Sequence, residues 1–425
     1  MAVGQPQRQE LTSWKEIAEH LGVSVRAAQK WEQERGLPIQ RLPGEKGRVS
    51  ADPLALDRWK KAALEKPSLW ASLKFLRYYA AAATAVALAA LTVILGGRLI
   101  WNRHGPPARF RHDSKTLTIM DEAGRELWQK TFEDPIAPEA SPEIWLATRR
   151  AWFGDLDGDG RVEFLYVYKE PLPVRERTSD ALICFSDTGK EKWRFAPGKT
   201  VSTATETFPP TYAVHYFVVA PLGKDRSQKV LVASHHVAFY PEQFAVLSSN
   251  GGMLGEYWHS GHLLDIELAD LDGDRSEEVL LGGISNAYKA ATLVVLDPLN
   301  LGGASQEENP AYQFQGFGPG KEKARILFPR SCISRKFDPY NLVSRVAMLG
   351  ERIKITVFER YPSTVPVVPA VFYFLDKSLR LVGFEVADLF RSYHRELESS
   401  GQLDHSLTDA EIAQFRNLRV LKPLR

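Results

Sequence analysis

The sequence predicts a multidomain chain: a small all-α winged helix-turn-helix, a single transmembrane helix, and an all-β, propeller-like domain of about five irregular blades. Three observations predict it. Residues 78–97, YYAAAATAVALAALTVILGG, carry no charge over 20 positions; as a helix they would rise about 30 Å, the thickness of a bilayer's hydrocarbon core. Before them, two amphipathic stretches of helical period flank a Gly-containing turn. After them, short β-rich runs recur roughly every 50–75 residues, as in strand-built repeat modules.

The 425 residues suit two or three domains, and 25% charged with 44% hydrophobic residues is ordinary globular composition. The divisions read as 1–66 (helix-turn-helix), 67–77 (linker), 78–97 (transmembrane helix), 98–109 (linker), 110–390 (propeller) and 391–425 (helical tail). The net charge of +2 hides an asymmetry: residues 1–77 hold 14 Lys+Arg against 9 Asp+Glu, and the remainder 40 against 43. A basic head and a mildly acidic body imply different partners. Lys74, Arg77, Arg98 and Arg103 flank the charge-free run, with Tyr78, Tyr79 and Trp101 at its ends, where aromatic rings favour an interface. The competing reading is a buried Ala-rich helix, since eight of the twenty residues are alanine. Two cysteines, Cys184 and Cys332, exclude a disulfide scaffold and leave one bridge open.

In the head, Ser13 and Glu16 form a capping box, and Trp14, Ile17, Ala18 and Leu21 follow on one helical face. Gly22 ends that helix and Ser24 caps the next, VRAAQKWEQERG, whose Val25, Ala28 and Trp31 point inward and whose Arg26, Gln29, Lys30 and Gln33 face out. Two extended pieces around the turn 43–47 carry Arg41, Lys46 and Arg48, and a third helix starts at Pro53. With these residues in hand, 11–62 resembles the excisionase-like, MerR-type winged helix-turn-helix. The resemblance implies that the second helix reads the major groove through Arg26, Gln29 and Lys30. It also implies that Arg41, Lys46 and Arg48 contact phosphate from the wing. The competing reading is a protein-docking module, which Glu32 and Glu34 on the reading helix favour, since they repel phosphate.

In the body, GDLDGDGRVEFLYVY sets Asp155, Asp157, Asp159 and Glu163 at loop positions 1, 3, 5 and 9, with the Arg161 carbonyl at 7. Alternate carboxylates offer the hard oxygen ligands that Ca²⁺ takes, but Tyr166 at position 12 and the strand that follows exclude an EF-hand. A second copy supplies Asp270, Asp272, Asp274, the Ser276 carbonyl and Glu278; a third, PLGKDRSQKVLVA, keeps only Asp225 and puts Lys229 at the Glu position. The competing reading is an acidic turn whose Asp side chains cap backbone amides. Each loop enters a strand, and later comes an apolar run, a turn and often an aromatic residue, as in ALICFSDTGKEKWRF and FAVLSSNGGMLGEYW. On these loops and tails, 110–390 resembles the FG-GAP/VCBS repeats of integrin-α-type propellers, and more weakly quinoprotein-like repeats. The resemblance implies one or two structural Ca²⁺ sites and no substrate chemistry.

His235, His236, His259 and His262 present no evident third ligand for a transition metal, and no nucleophile elbow, phosphate loop, HExxH or paired-carboxylate signature occurs. The expected whole is therefore not an enzyme. It is a membrane-anchored transcription regulator with a cytoplasmic N-terminus and an extracytoplasmic propeller that senses a protein or glycan ligand. DNA, the membrane and further copies of the chain are its expected partners. The rival is a surface adhesion or scaffold protein whose head docks a cytoplasmic protein; a third option is an extracytoplasmic enzyme on a propeller scaffold.

Overall fold

The computed structural model describes residues 10–41, 48–65, 84, 86–92, 105–138, 150–169, 179–237, 240–362, 365 and 367–424. The chain divides into two compact units, Met1–Arg103 and His104–Arg425.

The first unit holds α1 (Trp14–Leu21), α2 (Val25–Arg35), a ribbon of β1 (Gln40–Arg41) and β2 (Val49–Ser50), and α3 (Pro53–Glu65). Ser13 Oγ accepts from Glu16 N at 3.3 Å, while the Glu16 carboxylate reaches Thr12 N at 2.7 Å, one residue before the cap. Gly22 and Gly36 close α1 and α2 at φ of 71° and 61°, a region where glycine has no Cβ penalty. Ile17, Ala18, Leu21, Ala28, Leu37, Val49, Ala51 and Leu56 form the core, ringed by Trp14, Trp31 and Trp59. Val25, expected inside, is exposed. His20 pairs with Asp57 at 3.0 Å and Lys60 caps the Leu21 carbonyl at 3.1 Å, fastening α3 to α1.

The expected single transmembrane helix is not found among the described residues. Among the described residues no helix is long and apolar enough to cross a membrane. Of 78–97, only Thr84 and 86–92 are described, helical and exposed; the remainder, with the linker 67–77, lies outside the described residues. Seven helical residues rise about 10 Å, roughly a third of a hydrocarbon core. Freedom from charge suggested the span, yet alanines make the run only mildly apolar. The anchored fold class, and with it the cytoplasmic-to-extracytoplasmic topology, is corrected to a mostly β chain with a small helical head.

The second unit is propeller-like: five antiparallel sheets follow one another in sequence. Sheet 1 is β3 (Arg109–His112), β4 (Thr116–Met120) and β5 (Glu126–Thr131); sheet 2 is β6 (Ala151–Gly154), β7 (Glu163–Tyr168), β8 (Ala181–Phe185) and β9 (Glu191–Phe195). After a small hairpin, β10 (Val201–Ser202) and β11 (Thr207–Phe208), sheet 3 is β12 (Tyr212–Leu222), β13 (Ser227–His236), β14 (Glu242–Ser248) and β15 (Met253–His259). Sheet 4 is β16 (Gly261–Ala269), β17 (Glu278–Ser285), β18 (Ala290–Leu296) and β19 (Glu322–Leu327). A short helix α4 (Cys332–Phe337) leads to sheet 5, β20 (Leu342–Leu349), β21 (Arg352–Phe358), β22 (Ala370–Asp376) and β23 (Leu381–Val386).

Successive sheets pack face to face because their central strands are apolar on both sides. On β7, Phe164 and Tyr166 join the core shared with sheet 1, while Leu165 and Val167 join the one shared with sheet 3, the two-residue period of a strand. Further cores join sheets 3 and 4, then 4 and 5. The tail is only partly helical: α5 (Asp388–Ser399) and α6 (Asp409–Gln414) give way to β24 (Arg419–Lys422), which pairs with the outer edge of β19. An edge strand's unpaired amides and carbonyls recruit such a segment.

Between sheets 4 and 5, Asp265 Oδ2 accepts from Val346 N at 2.7 Å. Burial raises its pKa to about 6 from 3.8, against that bond. A carboxyl whose folded pKa lies above its unfolded value binds protons in the folded state that the unfolded state has released, so stability falls as pH rises from 4 to 6. Asp265→Asn keeps an acceptor and removes the charge. It is expected to be more stable than the parent by about 2–3 kcal/mol at pH 7 and equal to it at pH 4, in urea titrations at the two values. A pH-independent difference would reject the assignment.

Candidate functional site

Two surfaces carry the residues singled out by sequence. On the head, Arg26, Gln29 and Lys30 are exposed on one side of α2, with Gln33 one turn further. Arg41 does not stand free: its guanidinium forks onto Glu32 of α2 at 3.0–3.3 Å, tying ribbon to helix. Lys30 lies 3.8 Å from Glu34, Arg48 is exposed, and Lys46 lies outside the described residues. The basic stripe is thus thinner than the sequence suggests, since two acids on α2 offset two of its cations.

On the body, the structure brings Asp155, Asp157, Asp159 and Glu163 together, each with an oxygen within 4.8 Å of the others, and likewise Asp270, Asp272 and Glu278; Asp274 stands outside its group. The loops share one backbone. Asp155 accepts from Gly158 N and Gly160 N at 2.7 and 3.0 Å, and Asp270 from Gly273 N and Arg275 N at 2.7 and 3.1 Å. Gly160 and Arg275 occupy the same left-handed position at φ of 82° and 70°. Asp159 and Asp274 accept from the amides of Arg161 and Ser276. Glu163 and Glu278, both buried, accept from Leu156 N and Leu271 N at 2.9 Å.

Sequence reasoning missed the cation. Lys192 Nζ donates to Asp157 Oδ2 at 2.5 Å and Glu163 Oε1 at 3.1 Å; Lys323 Nζ does the same to Asp272 Oδ2 at 3.0 Å and Glu278 Oε1 at 2.5 Å. Both lysines occupy the residue skipped by pairing in the last strand of their sheet. In the other sheets that bulge position holds Leu127, Leu254 and Val382. The hydrogen bond from Lys192 holds Asp157 below the usual carboxylate range, and Lys323 does so for Asp272. Burial opposes charge on the lysines, yet these same carboxylates keep both ammonium groups above their ordinary pKa. In sheet 3, where the bulge residue is Leu254, the loop supplies its own cation: Lys229 stands 3.8 Å from Asp225. A calcium ion would therefore meet two carboxylate oxygens already turned to an ammonium. The donors have the right chemistry, but the site as built holds a cation of its own chain.

The histidines also find an unforeseen partner. His215, at the bulge of β12 between Val214 and Tyr216, places a ring nitrogen within 4.8 Å of those of His235 and His262. Burial depresses His215 to about 3 and pushes His262 well below its ordinary value, so both are neutral imidazoles, packed edge to face between sheets 3 and 4. His236 and His259 lie outside this group. Cys184 and Cys332 are free thiols.

No family model matches this chain, and no curated protein matches it. Similar solved structures include BamB from Moraxella catarrhalis, at 12% identity and a TM-score of 0.33, covering 66% of this chain and 63% of that one. BBS1N in complex with ARL6DN follows at 10% and 0.30, covering 67% and 83%. An exo-β-1,3-galactanase from Phanerochaete chrysosporium follows at 9% and 0.29, covering 67% and 66%. The chain spans just under two thirds of the length of BamB. What those proteins bind or cleave stays with them.

Proposed function

We propose that the chain is a DNA-binding regulator whose head presents α2 to the major groove and whose propeller-like unit serves as its interaction domain. One observation carries the reading: Arg26, Gln29 and Lys30 line the exposed side of the second helix of a capped helix-turn-helix, opposite its core. Arg41 becomes a positioning residue that sets the ribbon against α2, rather than a phosphate contact. We further propose that the acidic loops are lysine-latched turns that stiffen the sheets. The Glu32–Arg41 and Glu34–Lys30 pairs favour a second reading, a head that docks an acidic or mixed-charge protein surface.

The test is a titration of the full-length chain with DNA from its own upstream region at several salt concentrations. Binding is expected to weaken steeply with salt, and Arg26→Ala with Lys30→Ala should reduce the log–log salt slope by about 2, one unit per phosphate contact. Binding that ignores salt, or a slope unchanged in the double variant, would favour the docking reading.

A further inference from the structure

Beneath the C-terminal helices four donors of different chemistry converge. Cys332, His394, His405 and Glu411 each bring one ligand atom within 4.8 Å of the others. Cys332 opens α4, which Ser331 caps through Ser334 N at 3.1 Å. His394, on α5, has no exposed surface, and neither of its ring nitrogens has a hydrogen-bond partner. Native proteins seldom leave such a group unmade. His405 lies with Nδ1 2.9 Å from Asp404 Oδ1 and Nε2 3.0 Å from Glu411 Oε1. Both ring nitrogens donate to carboxylates here, so Nε2 must give up the proton it lends Glu411 before it can ligate, while Nδ1 stays on Asp404 in the outer-shell arrangement that orients a metal-binding imidazole. Glu411 spends Oε2 on the capping box of α6, accepting from Thr408 N at 3.0 Å and Thr408 Oγ1 at 3.1 Å. Its Oε1 accepts from His405 Nε2 and would exchange that proton for the ion.

We propose that Cys332 Sγ, one ring nitrogen of His394, His405 Nε2 and Glu411 Oε1 bind a single zinc ion that fastens α5 and α6 to α4. A thiolate with two imidazoles selects a borderline-soft ion over calcium or magnesium, and four protein donors with no open position define a structural tetrahedral site. Cys332 Sγ and His405 Nε2 each release a proton to solvent on binding. The thiolate and the Glu411 carboxylate then balance the two positive charges, so the site is neutral. Ligand atoms around zinc stand about 3.3–3.8 Å apart at bond lengths of about 2.0–2.3 Å, so on loading any pair near the 4.8 Å limit draws in, while His405 Nε2 and Glu411 Oε1, 3.0 Å apart, part slightly. Nothing in this assignment depends on DNA binding by the head.

The experiment uses the full-length chain. Metal content is measured by plasma mass spectrometry; the protein is then stripped with chelator and titrated with Co²⁺. About one zinc per chain is expected, and cobalt should give the intense visible bands of a tetrahedral ion together with a thiolate-to-cobalt charge-transfer band. Cys332→Ser should abolish the charge-transfer band and weaken zinc binding by more than about 100-fold. Asp404→Ala, outside the ligand set and exposed, should keep both bands and weaken binding by about 10–100-fold. It serves as the second variant if Cys332→Ser does not fold. A chain purified without zinc whose cobalt spectrum is only the pale octahedral one would overturn the proposal. A charge-transfer band that survives in Cys332→Ser would do so equally.

Discussion

Arg325→Met is expected to cost about 3–5 kcal/mol of stability at neutral pH, the range for breaking a fully buried ion pair. Arg325 is 1% exposed, and its Nη2 lies 2.7 Å from Oε1 of Glu307, itself completely buried. Ser285 Oγ accepts from the same Nη2 at 3.2 Å, and the Gln306 carbonyl accepts from Nη1 at 3.3 Å. Methionine fills similar volume, so the loss comes from the carboxylate left behind rather than from a void. Burial already raises the Glu307 pKa despite the guanidinium beside it. Without Arg325 it rises further, and the folded state takes up a proton there that the unfolded state does not. Stability of the variant should then fall with increasing pH between the two pKa values, so the deficit against the parent is larger at pH 8 than at pH 5. Adding Glu307→Leu should recover most of it. Guanidinium unfolding at both pH values measures this; an equal deficit at each, unrelieved in the double variant, would show that the pair is not what holds sheet 4 to its neighbouring loop.

What the sequence reveals and what it hides follow from the range of the interactions. Caps are local: Ser13, Ser24 and Gly22 sit within a few residues of the amides and carbonyls they satisfy, and each is found where the motif put it. The acidic loops are also local, since Asp155 and Asp270 bond amides no more than five residues away. Their cations are not local: Lys192 and Lys323 lie 29 and 45 residues beyond the glutamates they meet, through a strand bulge that no single segment announces. One signal was available. The dipeptide Glu-Lys begins the last strand in sheets 2 and 4, the two with acidic loops, whereas Glu-Leu, Met-Leu and Leu-Val stand there in the others. The Cys332 cluster is farther apart still, and β24 is recruited by an edge that exists only after sheet 4 has formed. The run at 78–97 misleads for the opposite reason: a purely local property, freedom from charge, suggested a span that no described helix provides.

Lys192→Met is expected to destabilise the second unit by about 2–3 kcal/mol in chelator at pH 7, less than for a fully enclosed pair because the lysine is 28% exposed while Glu163 is 2%. The loss should close on acidification. In the parent, the hydrogen bond from Lys192 depresses Asp157, so its contribution is present above the unfolded pKa and disappears as pH falls through the folded one; the variant has no such contribution to lose. Calcium separates this latch from an ordinary ion pair. With the ammonium gone, the loop keeps four carboxylates and no resident cation, which is a calcium ligand set. Millimolar calcium should restore most of the lost stability, since saturation at 100 times the dissociation constant adds about 2.7 kcal/mol. The parent should gain less than about 0.5 kcal/mol, because the ion must first displace Lys192. Sheet 3 supplies an internal control: Lys229 sits where the glutamate would be, so Lys229→Met leaves no carboxylate cage and calcium should not rescue it. If calcium stabilises the parent as much as the Lys192 variant, the ammonium is no obstacle to the ion. The loops would then be metal sites in which lysine is only a neighbour.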